Sequence, residues 1–172
     1  DTARIAVKQA REQAKAHGVK IALSLSDPAM VQYARQGLEE LLDDGVDLLF
    51  CNEQEALMFT NTENLDDAIA ALKSNNQHIV ITQGANGAVI IDPAQQFHVA
   101  GRHVDAVDTN GAGDAFAGAF LYAINAGLSL EAAAQLAILI SSEVVAQFGP
   151  RLAVENYAKL FEQFKSTQQE CA

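Results

Sequence analysis

The sequence predicts a layered α/β fold with a largely parallel central sheet. Two observations predict it. Aliphatic runs such as "VKIALSLS", "VDLLF" and "HIVIT" are separated by stretches of helical period, as in parallel strands joined by crossover helices, and a strand-rich part follows them. Of the 172 residues, 49% are apolar, which fits one packed domain and argues against disorder.

The elements follow in order. Ile5, Ala10 and Ala14 give residues 2–17 helical spacing, and Gly18 is placed to stop the helix. "VKIALSLS" reads as a buried strand, and "PAMVQYARQGLEELLDD" returns to a helical period from Pro28. "VDLLF" (46–50) is the next strand, "NEQEALMFT" begins a short helix, and "NLDDAIAALKSNN" forms another with Asn64 as its cap. "HIVITQGANGAVIID" gives two strands around the tight turn "QGANG". "QQFHVAG" and "HVDAVD" continue the strand-rich part, after which 112–126, 129–147 and 151–165 read as helices. The Phe116/Phe120/Ile124 stripe has core spacing on the first of these.

Charge narrows the function classes. With 11 basic and 22 acidic residues the formal charge is −11, which argues against nucleic-acid or anionic-membrane partners. A polyanionic ligand would have to be held locally, by backbone amides or a metal. Cys51 and Cys171 have no spacing of a zinc site or a disulfide framework, and a reducing, cytoplasmic setting is the simplest expectation. Cys51, at a strand end, reads as an inert buried thiol. The four histidines are scattered and are assigned no metal. The chain opens at Asp1 within a helical pattern, as though cut from something longer.

The chemistry concentrates in "DTNGAGDAFAGAF" (108–120). A glycine turn feeding a helix leaves amides without internal partners, and the helix dipole draws anions to them. Asp114 can simply favour that dipole from the first turn. It can also accept a proton from a hydroxyl while the amides stabilise a migrating phosphoryl group. Asn52 and Glu55 are likewise open to two readings: a helix cap with its capping-box partner, or oxygen ligands suited to a hydrated Mg²⁺. "TQGANG" (82–87) reads alone as a hairpin turn.

"DTNGAGDAF" resembles the signature of the ribokinase-like carbohydrate and nucleoside kinases, and "NEQE" and "TQGANG" match that family's Asn-x-x-Glu and Thr-x-Gly-x-x-Gly in order and spacing. No P-loop Gly-Lys-Ser/Thr element is present. The resemblance implies a three-layer, Rossmann-like α/β fold, with residues 1–172 forming the C-terminal half of one domain and the N-terminal half and lid absent. It implies Asp114 as catalytic base, an anion hole from Gly111, Ala112 and Gly113, and nucleotide contacts from Thr82, Gly84, Gly87 and Gly149. It further implies water-mediated Mg²⁺ at Asn52 and Glu55, and Asp108 as a loop support that in some members joins a site for a monovalent cation such as K⁺.

Counting back from Gly149 puts Ile138 where many relatives carry an adenine-side His or Asn. Glu143 is surface-facing or paired, and Arg151 either contacts phosphate or is solvated. The expected function is ATP-dependent phosphorylation of a primary hydroxyl on a nucleoside, closest to the adenosine-kinase branch. A sugar kinase of the same family is the alternative, and a non-catalytic nucleotide-binding fragment is the rival from another class.

Overall fold

The structure, a computed structural model, describes residues 2–43, 45–74 and 76–170. Asp1, Cys171 and the ends of two expected helical segments, Asp44 and Asn75, lie outside the described residues. The chain divides into two compact units, Asp1–Gln83 with Val89–Phe97, and Gly84–Ala88 with His98–Ala172.

In the first unit, helix α1 (Thr2–Ala16) leads to strand β1 (Ala22–Ser24), followed by α2 (Pro28–Tyr33) and α3 (Arg35–Leu42). Strand β2 (Leu48–Asn52), helices α4 (Glu53–Thr60) and α5 (Leu65–Lys73), and strand β3 (His78–Thr82) complete the run. Strands β4 (Gly87–Ile91) and β5 (Gln96–Ala100) extend the sheet in the order β1-β2-β3-β4-β5. The β1–β2 and β2–β3 pairs are parallel, with Ala22 opposite Leu48 and Asn52 opposite Thr82. The links into β4 and β5 are too short for a parallel crossover, so the sheet is mixed beyond its parallel part. Leu48–Cys51 are buried at every position, as near-continuous apolar strands are. Leu25, Val31, Leu49, Ile79 and Ile81 are wholly buried in this unit's core.

The second unit holds three long helices, α6 (Ala112–Asn125), α7 (Leu130–Val145) and α8 (Val154–Glu170). Phe116 and Phe120 stack at 6.2 Å and are buried in the core, while Ile124, the third residue of that stripe, is half-buried. Ser129 caps α7 by accepting the N–H of Ala132 at 3.2 Å. No helix among the described residues is long and apolar enough to cross a membrane.

Three local expectations change. The helical stretch from Pro28 is two helices, broken at Ala34. Arg35 donates to the carbonyls of Met58 and Phe59 at the end of α4, a tertiary anchor that periodicity does not register. Strand β1 keeps three of the eight residues of "VKIALSLS", with Ala22 and Ser24 exposed at the edge of the sheet. "HVDAVD" forms no strand: the amides of Val107 and Asp108 share the carbonyl of Val145, at 2.9 and 3.2 Å, instead of a ladder.

Candidate active site

In the second unit, the turn before α6 is built by Asp108. Its Oδ1 accepts the N–H of Asn110 at 3.0 Å, and its Oδ2 accepts the N–H of Gly149 at 3.1 Å. One carboxylate therefore fixes both the turn and the "QFGPRL" loop at Gly149. These two amides hold the Asp108 carboxyl below its ordinary range, with burial opposing weakly.

The glycines separate by what surrounds them. Gly111 is the N-cap of α6 at φ +77°, and a Cβ there would lie 2.5 Å from the carbonyl oxygen of Pro150. That position needs glycine for conformation and for packing. Gly113 has nothing within 4 Å of where its Cβ would be, so the fold does not ask for glycine there. Ala112 donates to Thr109 O at 3.3 Å and Ala115 to Gly111 O at 2.8 Å, and no side chain caps the helix. The amides of Gly113 and Asp114 thus head α6 beside open space, with the exposed Asp114 carboxylate at the same end.

Asp114 also lines a cavity of about 860 Å³ bounded by α6, α7 and α8. Its wall is mostly apolar through Tyr122, Leu136, Ile140, Tyr157 and Phe161, with Arg151 and Glu162 as further charged groups. Arg151 is exposed, and Glu143 is half-buried and paired with Arg102 at 2.5 Å. Ile138 is buried in α7. Gly84 opens and Gly87 follows a 3₁₀ turn (Gly84–Asn86) that receives the N–H of Gly101 on Asn86 O at 3.2 Å. A Cβ on Gly87 would meet Val99 O at 2.0 Å, so backbone contact alone requires that glycine.

In the first unit, parallel register brings Asn52 and Thr82 side by side at the carboxyl ends of β2 and β3, the edge where ligands of α/β sheets bind. Asn52 and Glu55 form a capping box. Asn52 Oδ1 accepts the Glu55 N–H at 2.8 Å, and Glu55 Oε2 accepts the Asn52 N–H at 2.9 Å. Asn52 Nδ2 also donates to Glu55 Oε1 at 2.6 Å. Glu55 is 4% exposed, and burial pushes its carboxyl above the ordinary range, against the Asn52 amide and with help from the charge of Asp27. Burial likewise drives the Cys51 thiol far up, so it is not a nucleophile at neutral pH.

Sequence reasoning did not find Pro150 behind Gly111, the charge of Asp27 on Glu55, or the aromatic wall of the cavity. Asp27-Pro28 carried a usable signal for the second: an Asp before a helix-opening proline is a cap, and Asp27 accepts the Met30 N–H at 2.9 Å. The other two depend on packing between distant segments.

Comparison with known proteins places this geometry in a family. A cytidine kinase of Thermococcus kodakarensis is 36% identical over 107 residues, 60% of this chain and 38% of the relative. The structure of an adenosine kinase from Sinorhizobium meliloti superposes with a TM-score of 0.86 at 34% identity, covering 92% of this chain and 49% of that one. A fructokinase from Vibrio cholerae, solved with fructose, ADP and calcium ion, matches with a TM-score of 0.81 at 25% identity, covering 91% and 54%. The chain therefore spans about half the length of the relatives it matches or less. Residues 3–156 match the profile of the pfkB family carbohydrate kinases, and the chain belongs to that family.

Proposed function

We propose that this chain carries the phosphoryl-transfer part of an ATP-dependent kinase that phosphorylates a primary hydroxyl of an adenosine-like nucleoside. The observation that supports it most is the head of α6. Gly113 presents open space and an uncapped amide where the fold has no need of glycine, and Asp114 stands exposed beside it.

The chemistry follows from those groups. Asp114 takes the hydroxyl proton as the acceptor oxygen attacks the γ-phosphorus of ATP, and the bond to the bridging oxygen breaks to release ADP. Of the turn Gly111-Ala112-Gly113, Ala112 already donates its N–H to Thr109 O, and the amides of Gly111 and Gly113 are the donors to the charge on the migrating group, a contribution worth roughly 2.7–4 kcal/mol per donor in comparable sites. The nucleotide contacts proposed are Thr82 in the first unit and Gly84, Gly87 and Gly149 in the second. Asp108 braces the loop with both carboxylate oxygens.

Asn52 and Glu55 fit Mg²⁺ held through water. Each is already engaged in the capping box, which leaves lone pairs for a hydrated ion, whereas direct ligation would open the cap. When bound, Mg²⁺ supplies charge neutralisation at the phosphates.

The adenosine-like acceptor is supported by "NEQEA" and "DTNGAGDAF" and by the nucleoside kinases among the relatives. The fructokinase likeness favours a sugar acceptor as the second reading. We also propose that residues 1–172 are the C-terminal half of one domain, completed by a half that closes the site, in keeping with the coverage of these relatives.

The test is ATP consumption by the native protein against adenosine, other nucleosides and free sugars. Turnover with adenosine supports the reading, turnover with sugars alone replaces the acceptor, and none across the panel leaves a nucleotide-binding fragment.

A further inference from the structure

In the first unit, Glu53 follows Asn52 and Gln83 follows Thr82, each at an unspecified position of its motif. The parallel ladder aligns Asn52 with Thr82 as its last pair, and beyond that pair the backbones part. The chain after Asn52 enters α4, and the chain after Thr82 leads through Gln83 to the 3₁₀ turn at Gly84. Across this divergence Gln83 Nε2 donates to Glu53 Oε2 at 2.8 Å, in a half-buried setting. Among the described residues this is the side-chain hydrogen bond that joins the two segments.

The surroundings of Glu53 make this bond notable. Glu53 sits in the first turn of α4, one residue from Asn52 and two from Glu55, and no cation pairs with it among the described ion pairs. A loose carboxylate there would repel a nucleotide; one held by Gln83 has a fixed position. A hydrogen bond to an ionised group is among the stronger ones, and it ties the orientation of α4's first turn to that of the segment entering the 3₁₀ turn.

We infer that Glu53 and Gln83 are positioning residues that couple cation binding at Asn52 and Glu55 to nucleotide binding at Thr82. The inference rests on the phosphotransferase reading above. Neither residue touches the reacting atoms. A cation that orders the start of α4 also orders the segment entering the nucleotide turn, and the nucleotide returns the effect equally, because coupling between sites is reciprocal.

The test is ATP binding by the native protein, by calorimetry, in Mg²⁺ and in EDTA; the readout is the ratio of the two dissociation constants. Gln83→Leu removes the donor at similar size and is expected to lower that ratio about fivefold, near the lower end of typical coupling, with the EDTA value changed less than about twofold. Glu53→Gln keeps an acceptor for Gln83 and is expected to retain most of the ratio. The double variant should fall no further than Gln83→Leu alone, since paired residues are not additive. Gln83→Asn, one methylene shorter, serves as the second variant should Gln83→Leu fail to fold, with the same loss expected.

An unchanged ratio in the Gln83 variants, including equal weakening with and without Mg²⁺, overturns the coupling and leaves the bond a structural staple. Loss of the ratio in Glu53→Gln but not in Gln83→Leu also overturns it, because Glu53 would then act by its charge. Absence of ATP binding by the unsubstituted protein removes the phosphotransferase reading and the coupling with it.

Discussion

Asp108 Oδ2 accepts the backbone N–H of Gly149 at 3.1 Å, joining the loop before α6 to the loop that ends α7 forty-one residues later. Together with the Asn110 amide on Oδ1, this makes Asp108 the residue that shapes the turn rather than a surface acid.

The pH dependence of that brace has a definite sign. The two amides lower the folded-state pKa of Asp108, so its contribution is complete above the unfolded carboxyl value near 3.9, and it fades as pH falls through the lowered folded value. The thermal midpoint of Asp108→Ala should lie below that of the unsubstituted protein by a constant margin from pH 8 to pH 5. The margin should shrink below about pH 4. A margin that already fades near neutrality would assign the brace to another group.

The glycines should respond to substitution in two different ways. Gly87→Ala and Gly111→Ala force a Cβ onto backbone at 2.0 and 2.5 Å, and each should cost at least the roughly 1–3 kcal/mol of an overpacked site. Gly113→Val meets nothing within 4 Å, so the protein should fold with an unchanged circular dichroism spectrum. Its turnover should nevertheless fall by about 10²–10³, the effect of losing one transition-state donor. Full activity in Gly113→Val would remove that amide from the mechanism.

Glu55 offers a separation of stability from activity. Burial raises its folded-state pKa, so the folded form holds a proton more tightly than the unfolded chain, and stability declines as pH rises from about 4.3 through the raised value. Glu55→Gln can still accept the Asn52 amide and carries no buried charge. It should therefore melt no lower than the unsubstituted protein at pH 8, while its activity needs more Mg²⁺. A lower midpoint for the variant at pH 8 would show that the ionised carboxylate stabilises the fold.

Much of this was legible in the sequence, for reasons that are local. The α/β class follows from apolar runs and helical periods, and the Asn64 cap and the Asn52–Glu55 box follow from side chains that reach only three residues. What the sequence withheld depends on distant partners. Arg35 splits a periodic helix by reaching Met58 and Phe59, and "HVDAVD" alternates like a strand yet spends its amides on Val145. At the candidate site, "DTNGAGD" marked the turn at the head of α6, but it did not distinguish Gly111, required by Pro150, from Gly113, which the fold leaves free. That distinction is steric and becomes visible only in three dimensions.

The central claim is that Asp114 is the proton acceptor in phosphoryl transfer, and the rate of acceptor-dependent ATP turnover by Asp114→Asn tests it most directly. The account predicts a folded protein that binds ATP as before and turns over about 10²–10⁴-fold more slowly, the range of general-base help. Turnover within a few-fold of the unsubstituted protein would contradict it.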